Sequence, residues 1–537
     1  MESSGRDFKV QVLIAGTWYD VPGERSSGAT INNEQVDTTE KGVVPWRELS
    51  AFGIRSGEIV CSGVVRDNPD PVSVFGFLML AAMNGGLVEV RVITEPRDVI
   101  AQGFYLLTTL ERNGEYNGAE MFSLSFSSAT AAASGPLPFV LRINTEQVTP
   151  GAATFILPLS PSASFVYNFM VDWGDGTVEG ITNASAGFPS ILHIYPVAGV
   201  YDVTITPTGP SGSGFPTLVF NDGGDKLKVL EIKAWGGVVW ESFYYAFAGC
   251  ANMQITAIDS ANAQTGGVRS WWSMFYRCYG LTSVPHLDMS GGVEFNSLFN
   301  ACSSLTSIPS TLNWSNGTNF NFVCNGCTVL QSMPVLDVSK GTSFQGAWQG
   351  CAALTSFPLL NFAEGANFHS AWRDCVGLTS FPAMAFPKAT TFIVTWSGCT
   401  GLVSFGLITF GPTLVAMDQS WLNCSGLTSF PALDTKDVTN FNSAWRNCVD
   451  LNGYAFPLLN MRKMSVGTNA FNGTKIATAA WSALLIDLAA GAVNNSVSFH
   501  GGTANYDIAT AGAARTYLTT SIGGGGKGWT IVDGGGV

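Results

Sequence analysis

The stretch Phe368-His369-Ser370-Ala371-Trp372-Arg373-Asp374-Cys375-Val376-Gly377-Leu378-Thr379-Ser380-Phe381-Pro382 decides the fold, because its pattern returns nine times between Phe243 and Thr474. In six of the nine copies an aromatic, three residues, a second aromatic, two residues, Cys, two residues and Leu follow in that order. Cys250, Cys278, Cys302, Cys327, Cys351, Cys375, Cys399, Cys424 and Cys448 mark the period: the first interval is 28 residues and every later one 24 or 25. A steady period of this length is the signature of a solenoid. Within one repeat, positions i, i+4 and i+7 predict a short helical turn with both rings and the thiol on one side. Leu and the Thr-Ser-x-Pro tail predict a brief extended segment closed by Pro. So small a unit cannot bury two rings alone, so rings of successive repeats must cover one another in one apolar spine. Three departures, Cys324 for the second aromatic, Met417 for the first and Gly406 for the Pro, are expected to weaken single rungs only.

The repeated phrase resembles the leucine-rich repeats of BspA-like bacterial surface antigens, which share its Phe-x-x-Cys-x-x-Leu core. The resemblance covers Phe215 to Thr474. It implies a parallel β solenoid, set here at residues 215–475, that serves as a surface-exposed adhesion or interaction module.

Composition agrees with a mainly β chain of about three or four domains. Only 12% of the 537 residues are charged and 61 are Gly, which suits extended structure and tight turns more than helical bundles. The formal charge is −13; residues 1–135 hold 10 basic and 17 acidic side chains, net −7, and residues 136–537 hold 16 and 22, net −6. An acidic surface repels phosphate, which excludes tight DNA binding. Of eleven cysteines, nine belong to the repeats and the others are Cys61 and Cys324. Strict periodicity and an odd count point to buried free thiols rather than disulfides. Cys324-Asn325-Gly326-Cys327 has the spacing of a redox or zinc pair, but there is no second pair and no nearby His, so neither metal nor cofactor is expected. Met1–Asp7 has no apolar core, so no signal peptide is expected. The longest apolar stretch, around Val74 to Met83, is too short to enter a membrane as a span.

Residues 1–133 read as a β domain with one helix. Apolar side chains alternate with others along Phe8–Ile14, Val88–Val92 and Phe122–Phe126, as in strands with one buried face. Asp70-Pro71 and Gly85-Gly86 bracket the helix. The order of Val36-Asp37-Thr38-Thr39, Gly42, Trp46-Arg47-Glu48, Gly57, Gly63, Leu78, Phe104-Tyr105-Leu106-Leu107, a turn at Asn113-Gly114 and a Ser-rich last strand to Ser128 resembles the major tail tube protein of long-tailed phages. That resemblance implies hexameric rings whose sheets close into a barrel. The rings would stack into a tube that conducts viral DNA without specific binding. Partners would be the tape measure and other tail proteins. Gly23 to Lys41 would be a loop, ordered between subunits or simply exposed.

Ala131 to Pro136 reads as a linker. In 137–208, Val171-Asp172-Trp173-Gly174-Asp175-Gly176-Thr177, His193-Ile194-Tyr195 and Gly199-Val200-Tyr201 resemble the polycystic-kidney-disease (PKD) type of immunoglobulin-like sandwich, which implies a spacer or carbohydrate-facing module. Asp172 and Asp175 could be a catalytic or calcium pair, but two carboxylates beside a turn more often accept its backbone N–H bonds. Pro207 to Gly214 reads as a second linker, and Val219 to Trp240 as the entry into the array. Residues 476–537 read as a carboxyl-terminal cap. They include helices over Ala479–Ala490 and Tyr506–Leu518 and a strand at Gly528–Ile531. Gly523 to Lys527 lacks the first glycine and the following Ser or Thr of a phosphate loop.

Four histidines, His193, His286, His369 and His500, leave little material for acid–base chemistry. No catalytic, cofactor or metal residues are assigned, and the chain is not expected to be an enzyme. Trp314, Asn316 and Asn319 between rungs could meet a sugar, with buried packing as the competing reading. The function expected is a structural virion protein of the phage tail, assembled in the host cytoplasm and released by lysis. Its carboxyl-terminal domains would project outward and bind a host surface glycan or protein. The alternatives are a bacterial or tail-tip adhesin and, furthest removed, a polysaccharide-degrading tailspike, which needs two suitably spaced carboxylates.

Overall fold

The computed structural model describes residues 137–148, 151–183, 190–455 and 459–537 throughout, and of residues 1–136 the backbones of seven strands. It divides into two compact units, Met1–Gly135 and Pro136–Val537. Among the described residues the chain is mainly β, with two α-helices, and neither is long and apolar enough to cross a membrane.

The strands of the first unit are β1 (Phe8–Ile14), β2 (Thr17–Asp20), β3 (Thr30–Asn32), β4 (Glu58–Val65), β5 (Leu87–Thr94), β6 (Asp98–Tyr116) and β7 (Ala119–Ser128). They form one antiparallel sheet in the order β2-β1-β5-β6-β7-β4-β3. The three alternating stretches seen in the sequence fall in β1, β5 and β7. Two expectations are corrected. Asn113-Gly114 is not the hairpin turn: β6 runs through it with a register shift between Arg112 and Glu115, and the chain reverses between Tyr116 and its partner Ala119. An Asn-Gly pair inside a long strand is absorbed as a bulge when pairing continues on both sides. The loop Gly23 to Lys41 contains a short strand, since Thr30–Asn32 pairs with Glu58–Val60. The helix at Asp70 to Gly85, the segment Val36 to Glu48 and the linker Ala131 to Pro136 lie outside the described residues.

The second unit begins with β8 (Phe139–Asn144), β9 (Thr154–Pro158), β10 (Asn168–Asp172), β11 (Val178–Thr182), β12 (Ser190–Ile194), β13 (Val200–Pro207), β14 (Val229–Ala234) and β15 (Gln254–Ile255). β12 pairs with β9; the other six form a sheet in the order β11-β10-β13-β8-β14-β15. Alternate residues Phe139, Leu141 and Ile143 of β8 are buried, as a strand with one core face requires. This sheet does not stop where the repeats begin. β14 lies antiparallel on β8, and β15 lies parallel on β14. Arg142 of β8 bonds Asp202 (Nε–Oδ1 2.8 Å) beside β14's Lys233 on the same carboxylate (2.7 Å). The segment 207–214 is therefore not a free linker. Thr208 N–H donates to Asn168 O (3.0 Å), Asn168 N–H donates to Gly214 O (2.8 Å), and Gly212 is buried.

From Phe243 onward the chain winds into stacked coils. The aromatic-to-Cys segment is not a helical turn. With i as the first aromatic, N–H groups at i+3, i+5 and i+7 bond back to carbonyls at i, i+2 and i+4. Those at i, i+2, i+4 and i+6 donate to the next coil. In one coil, Ala246 N–H goes to Phe243 O (3.1 Å) and Cys250 N–H to Phe247 O (3.0 Å), while Phe243 N–H goes to Ser270 O (3.0 Å) and Phe247 N–H to Met274 O (2.9 Å). Each segment is thus two consecutive four-residue turns; every N–H from i to i+7 except i+1 has a backbone partner, and in several coils i+1 donates to a side chain, as Tyr244 N–H to Ser242 Oγ (3.1 Å) and His369 N–H to Asn367 Oδ1 (3.0 Å), as buried backbone demands. Left-handed backbone at i+2 and i+6 makes this possible: φ is +56° at Ser370 and +59° at Asp374, and +57° at Gly346 and +73° at Gly350. A helix cannot contain such residues, which is why the i, i+4, i+7 spacing misled.

The Thr-Ser-x-Pro tail is extended, as expected. β16 (Ser380–Phe381) pairs in parallel with β18 (Ser404–Phe405), and β17 (Met384–Phe386) with β19 (Ile408–Phe410). Its Thr has a reason the sequence did not show: Thr379 Oγ1 donates to Thr355 O of the preceding coil (3.2 Å), and Thr428 Oγ1 to Val403 O (3.2 Å). Gly406 is not a weakened rung. Its N–H donates to Phe381 O (2.7 Å), which Pro could not do, and a Cβ there would collide with the Ala383 amide nitrogen.

The second aromatics form a continuous column. Phe247, Phe275 and Phe299 stack at 5.9 Å; beyond Cys324, Trp348, Trp372, Trp396, Trp421 and Trp445 stack at 5.3–5.5 Å. First aromatics stack likewise, Phe320, Phe344, Phe368 and Phe392 at 5.3 Å. The helices α1 (Thr478–Ala490) and α2 (Ile508–Thr519) follow, with β20 (Ser498–His500) paired in parallel to β21 (Thr530–Val532). Phe499 bridges Gly467 of the last coil, so the ladder continues into this end.

Candidate functional site

Ten cysteines of the second unit are free and buried. They are more than small apolar fillers. Each ladder thiol from Cys278 to Cys448 donates to the carbonyl of the second-aromatic position one coil back, as in Cys375 Sγ to Trp348 O (3.1 Å) and Cys399 Sγ to Trp372 O (3.0 Å). In the coil after Cys448, Thr474 takes the position and its hydroxyl donates to Trp445 O (2.6 Å). Burial pushes Cys375 and Cys424 up to about 12, so both keep the proton they donate. Cys324 and Cys327 follow the same plan: Cys327 donates to Phe299 O (3.1 Å) and Cys324 O accepts from Cys351 (3.2 Å). No group of His, Cys, Asp and Glu among the described residues is arranged to hold a metal ion.

In the sandwich, the carboxylates serve the turn. Asp172 accepts from Gly174 N–H (2.9 Å), and Asp175 from Thr177 N–H (2.9 Å) and Thr177 Oγ1 (2.6 Å). His193 lies flat on Trp173, centroids 4.5 Å apart, and its Nε2 stands 2.9 Å from Asp175. Burial pushes the Asp175 carboxyl up, but donors from Thr177 and His193 outweigh it and bring it down to about 2. Packed on all sides, this cluster holds the hairpin to its neighbour strand.

The residues expected between rungs separate. Trp314 is buried against Phe295 and Phe320, its Nε1 on Met289 Sδ (3.3 Å). Asn316 donates to Ser290 O (2.7 Å) and Asn319 to Glu294 (2.9 Å). The backbone N–H groups of Lys527 and Gly528 are used on Tyr517 O and Thr520 O, so that stretch cradles no phosphate.

The outward positions were not singled out in the sequence. Because i+1 and i+5 are equivalent places in two successive turns, they form two neighbouring columns over the coil surface. Trp272 and Tyr276 occupy them in the second coil. The next three coils carry Asn296 and Asn300, Asn321 and Asn325, then Gln345 and Gln349; His369 and Arg373 follow. All six amides are half-buried. Beside Trp272 stands Tyr244, ring centroid 5.9 Å away and 48% exposed. The signal was present in the repeats, but only alignment by coil position reveals it.

A family model described as phage tail tube protein matches residues 3–133, about a quarter of the chain. That match supports a structural tail tube role, a location in the virion tail and oligomeric assembly with other tail proteins. No curated protein and no solved structure matches the chain.

Proposed function

We propose that this chain is a tail tube subunit of a phage, in which residues 1–133 form hexameric rings that stack into a DNA-conducting tube. The family match over these residues carries the reading. The sheet supports it, because β2 and β3 stand at the two ends of the strand order. Sheet edges seek partners, and neighbouring copies would supply them by closing a barrel. Tape measure and other tail proteins would be its partners, and assembly would take place in the host cytoplasm. The net charge of −7 over residues 1–135 suits a conduit that DNA crosses without being held.

In this reading residues 137–208 are a PKD-like immunoglobulin-like sandwich, and residues 215–475 a BspA-like leucine-rich repeat solenoid. Residues 476–537 are its cap. These parts project outward and bind the host surface, many copies per tail raising avidity. In this reading the chain is not an enzyme, and among the described residues the His193–Asp175 pair is taken up in packing on Trp173. Negative-stain electron microscopy of the purified chain tests the proposal. Rings or tubes of uniform diameter are expected; discrete monomers at every concentration would overturn it.

A further inference from the structure

The two outward columns of the coil stack change character together, from rings at the second coil to amides at the third, fourth and fifth, and this joint change is what an extended ligand would read. We propose that the strip from the second to the fifth coil binds a neutral polysaccharide. Sugar faces would lie on Trp272 and Tyr276, and sugar hydroxyls on the amides beyond. The inference rests on the reading that this part of the chain meets the host surface, and it assigns the place and the ligand class.

Three observations select this ligand. Trp272, with Tyr244 beside it, and Tyr276, whose ring carries the Arg277 guanidinium 5.0 Å from its centroid, are half-buried and leave ring surface that attracts the polarised C–H face of a sugar while leaving its hydroxyls free. Asn321 Oδ1 already accepts from Ser343 Oγ (2.6 Å) and Gln345 N–H (2.9 Å), and Asn296 and Asn300 engage Ser297, but Asn325, Gln345 and Gln349 each offer a donor pair and an acceptor, the complement of neighbouring hydroxyls. The side chains of Asn325, Gln345 and Gln349 make no hydrogen bond within the chain, so their polar atoms are free to meet a ligand. Charge supplies the third. Glu294, at the strip's edge, keeps its negative charge while accepting from Asn319 (2.9 Å), and Arg277 is paired with Asp222 (3.0 Å), so the strip repels a polyanion rather than attracting it. A protein partner would want a dry apolar centre, which a field of amides does not provide. Across coils whose first aromatics stack at 5.5 and 5.3 Å, the same two places hold Asn and Asn, Asn and Asn, then Gln and Gln, a recurring amide pair that suits a polymer of one repeating unit.

Native affinity electrophoresis of the full chain tests this. The gels would contain a soluble β-glucan, a galactomannan or dextran, with heparin and hyaluronate as charged comparators. At least one neutral polymer should retard the protein. Trp272→Ala combined with Tyr276→Ala should weaken its apparent Kd by roughly tenfold or more. Gln345→Ala combined with Gln349→Ala, at surface positions that leave packing intact, should weaken it several-fold. Ile393→Ala, in the same column beyond the strip, should leave it unchanged. Retardation by heparin alone, by no polymer, or equally in wild type and both double variants would overturn the proposal. Electron microscopy of the same preparations separates the two claims: tubes without retardation sink the strip and spare the tube, and retardation without tubes does the reverse.

Discussion

Trp396 offers the sharpest test of how the coils cohere. Its indole is fully buried, stacked between Trp372 (5.5 Å) and Trp421 (5.3 Å) and perpendicular to Phe381 and Phe405 (5.2 and 4.9 Å). Its Nε1–H has no acceptor. Trp396→Ala opens a cavity in the column and should cost about 3–5 kcal/mol. Trp396→Phe keeps a ring in a column that already carries Phe247, Phe275 and Phe299. It gives up about 1–2 kcal/mol of apolar burial. It also removes an unpartnered buried donor, whose desolvation costs about 1–3 kcal/mol. The two effects nearly cancel, so the Phe variant should lie within about 1 kcal/mol of wild type. Guanidinium unfolding followed by far-UV circular dichroism reads both, using the transition that Trp396→Ala displaces and comparing midpoints at constant slope. Trp271→Phe is the control, since Trp271 Nε1 donates to Val268 O (3.2 Å) and the exchange should cost about 1 kcal/mol more. If Trp396→Phe loses as much as Trp396→Ala, the N–H does essential work against the neighbouring rings and the reasoning fails.

Val394 holds a left-handed φ of +59°, costly for a β-branched residue; Val394→Asn should stabilise by about 1 kcal/mol, seen as a higher denaturant midpoint. Gly398→Ala, at φ +78° with the Asp374 carboxylate against the new methyl group, should lower that midpoint by about 1–2 kcal/mol. Cys375→Ala removes one of the two donors on the Trp348 carbonyl, the other being Cys351 N–H (3.2 Å), and should cost about 1 kcal/mol, and Cys375→Thr less, because Thr474 already makes this bond; thermal melts rank the two. Asp175 titrates lower folded, at about 2, than unfolded, so its contribution is full above pH 4 and disappears as pH falls through 2. The shift is worth about 2 kcal/mol. Asp175→Asn should flatten that part of the acid-unfolding curve relative to wild type.

The period of the repeats was legible because aromatic, Cys and Leu recur at constant spacing, and the buried columns follow from it. The turn geometry was not legible, since i, i+4, i+7 fits a helix as well as two four-residue turns. The distinguishing signal, Ser, Gly, Asn and Asp at i+2 and i+6, is diluted by Val394, Phe322 and Arg277. The union of sandwich and coils through β8 and β14 left no trace, because a strand carries no mark of its partner. Asp172 and Asp175 were read correctly as turn acceptors from local spacing alone. The outward strip was invisible residue by residue: Asn296 or Gln349 singly is an ordinary surface amide, and only the register of the coils makes them neighbours.

Because successive coils meet through the same pattern of backbone bonds, joined from Cys278 to Cys448 by a thiol donor, a whole coil of 24 residues can be lost or duplicated without redesigning what remains. The outward letters at i+1 and i+5 vary over that scaffold, and only some of them, such as Asn321 on Gln345 N–H and Asn442 on Asp418, bond between coils. A lineage could therefore lengthen, shorten or rewrite the recognised surface by recombination between repeats, leaving folding untouched while the preferred host changes.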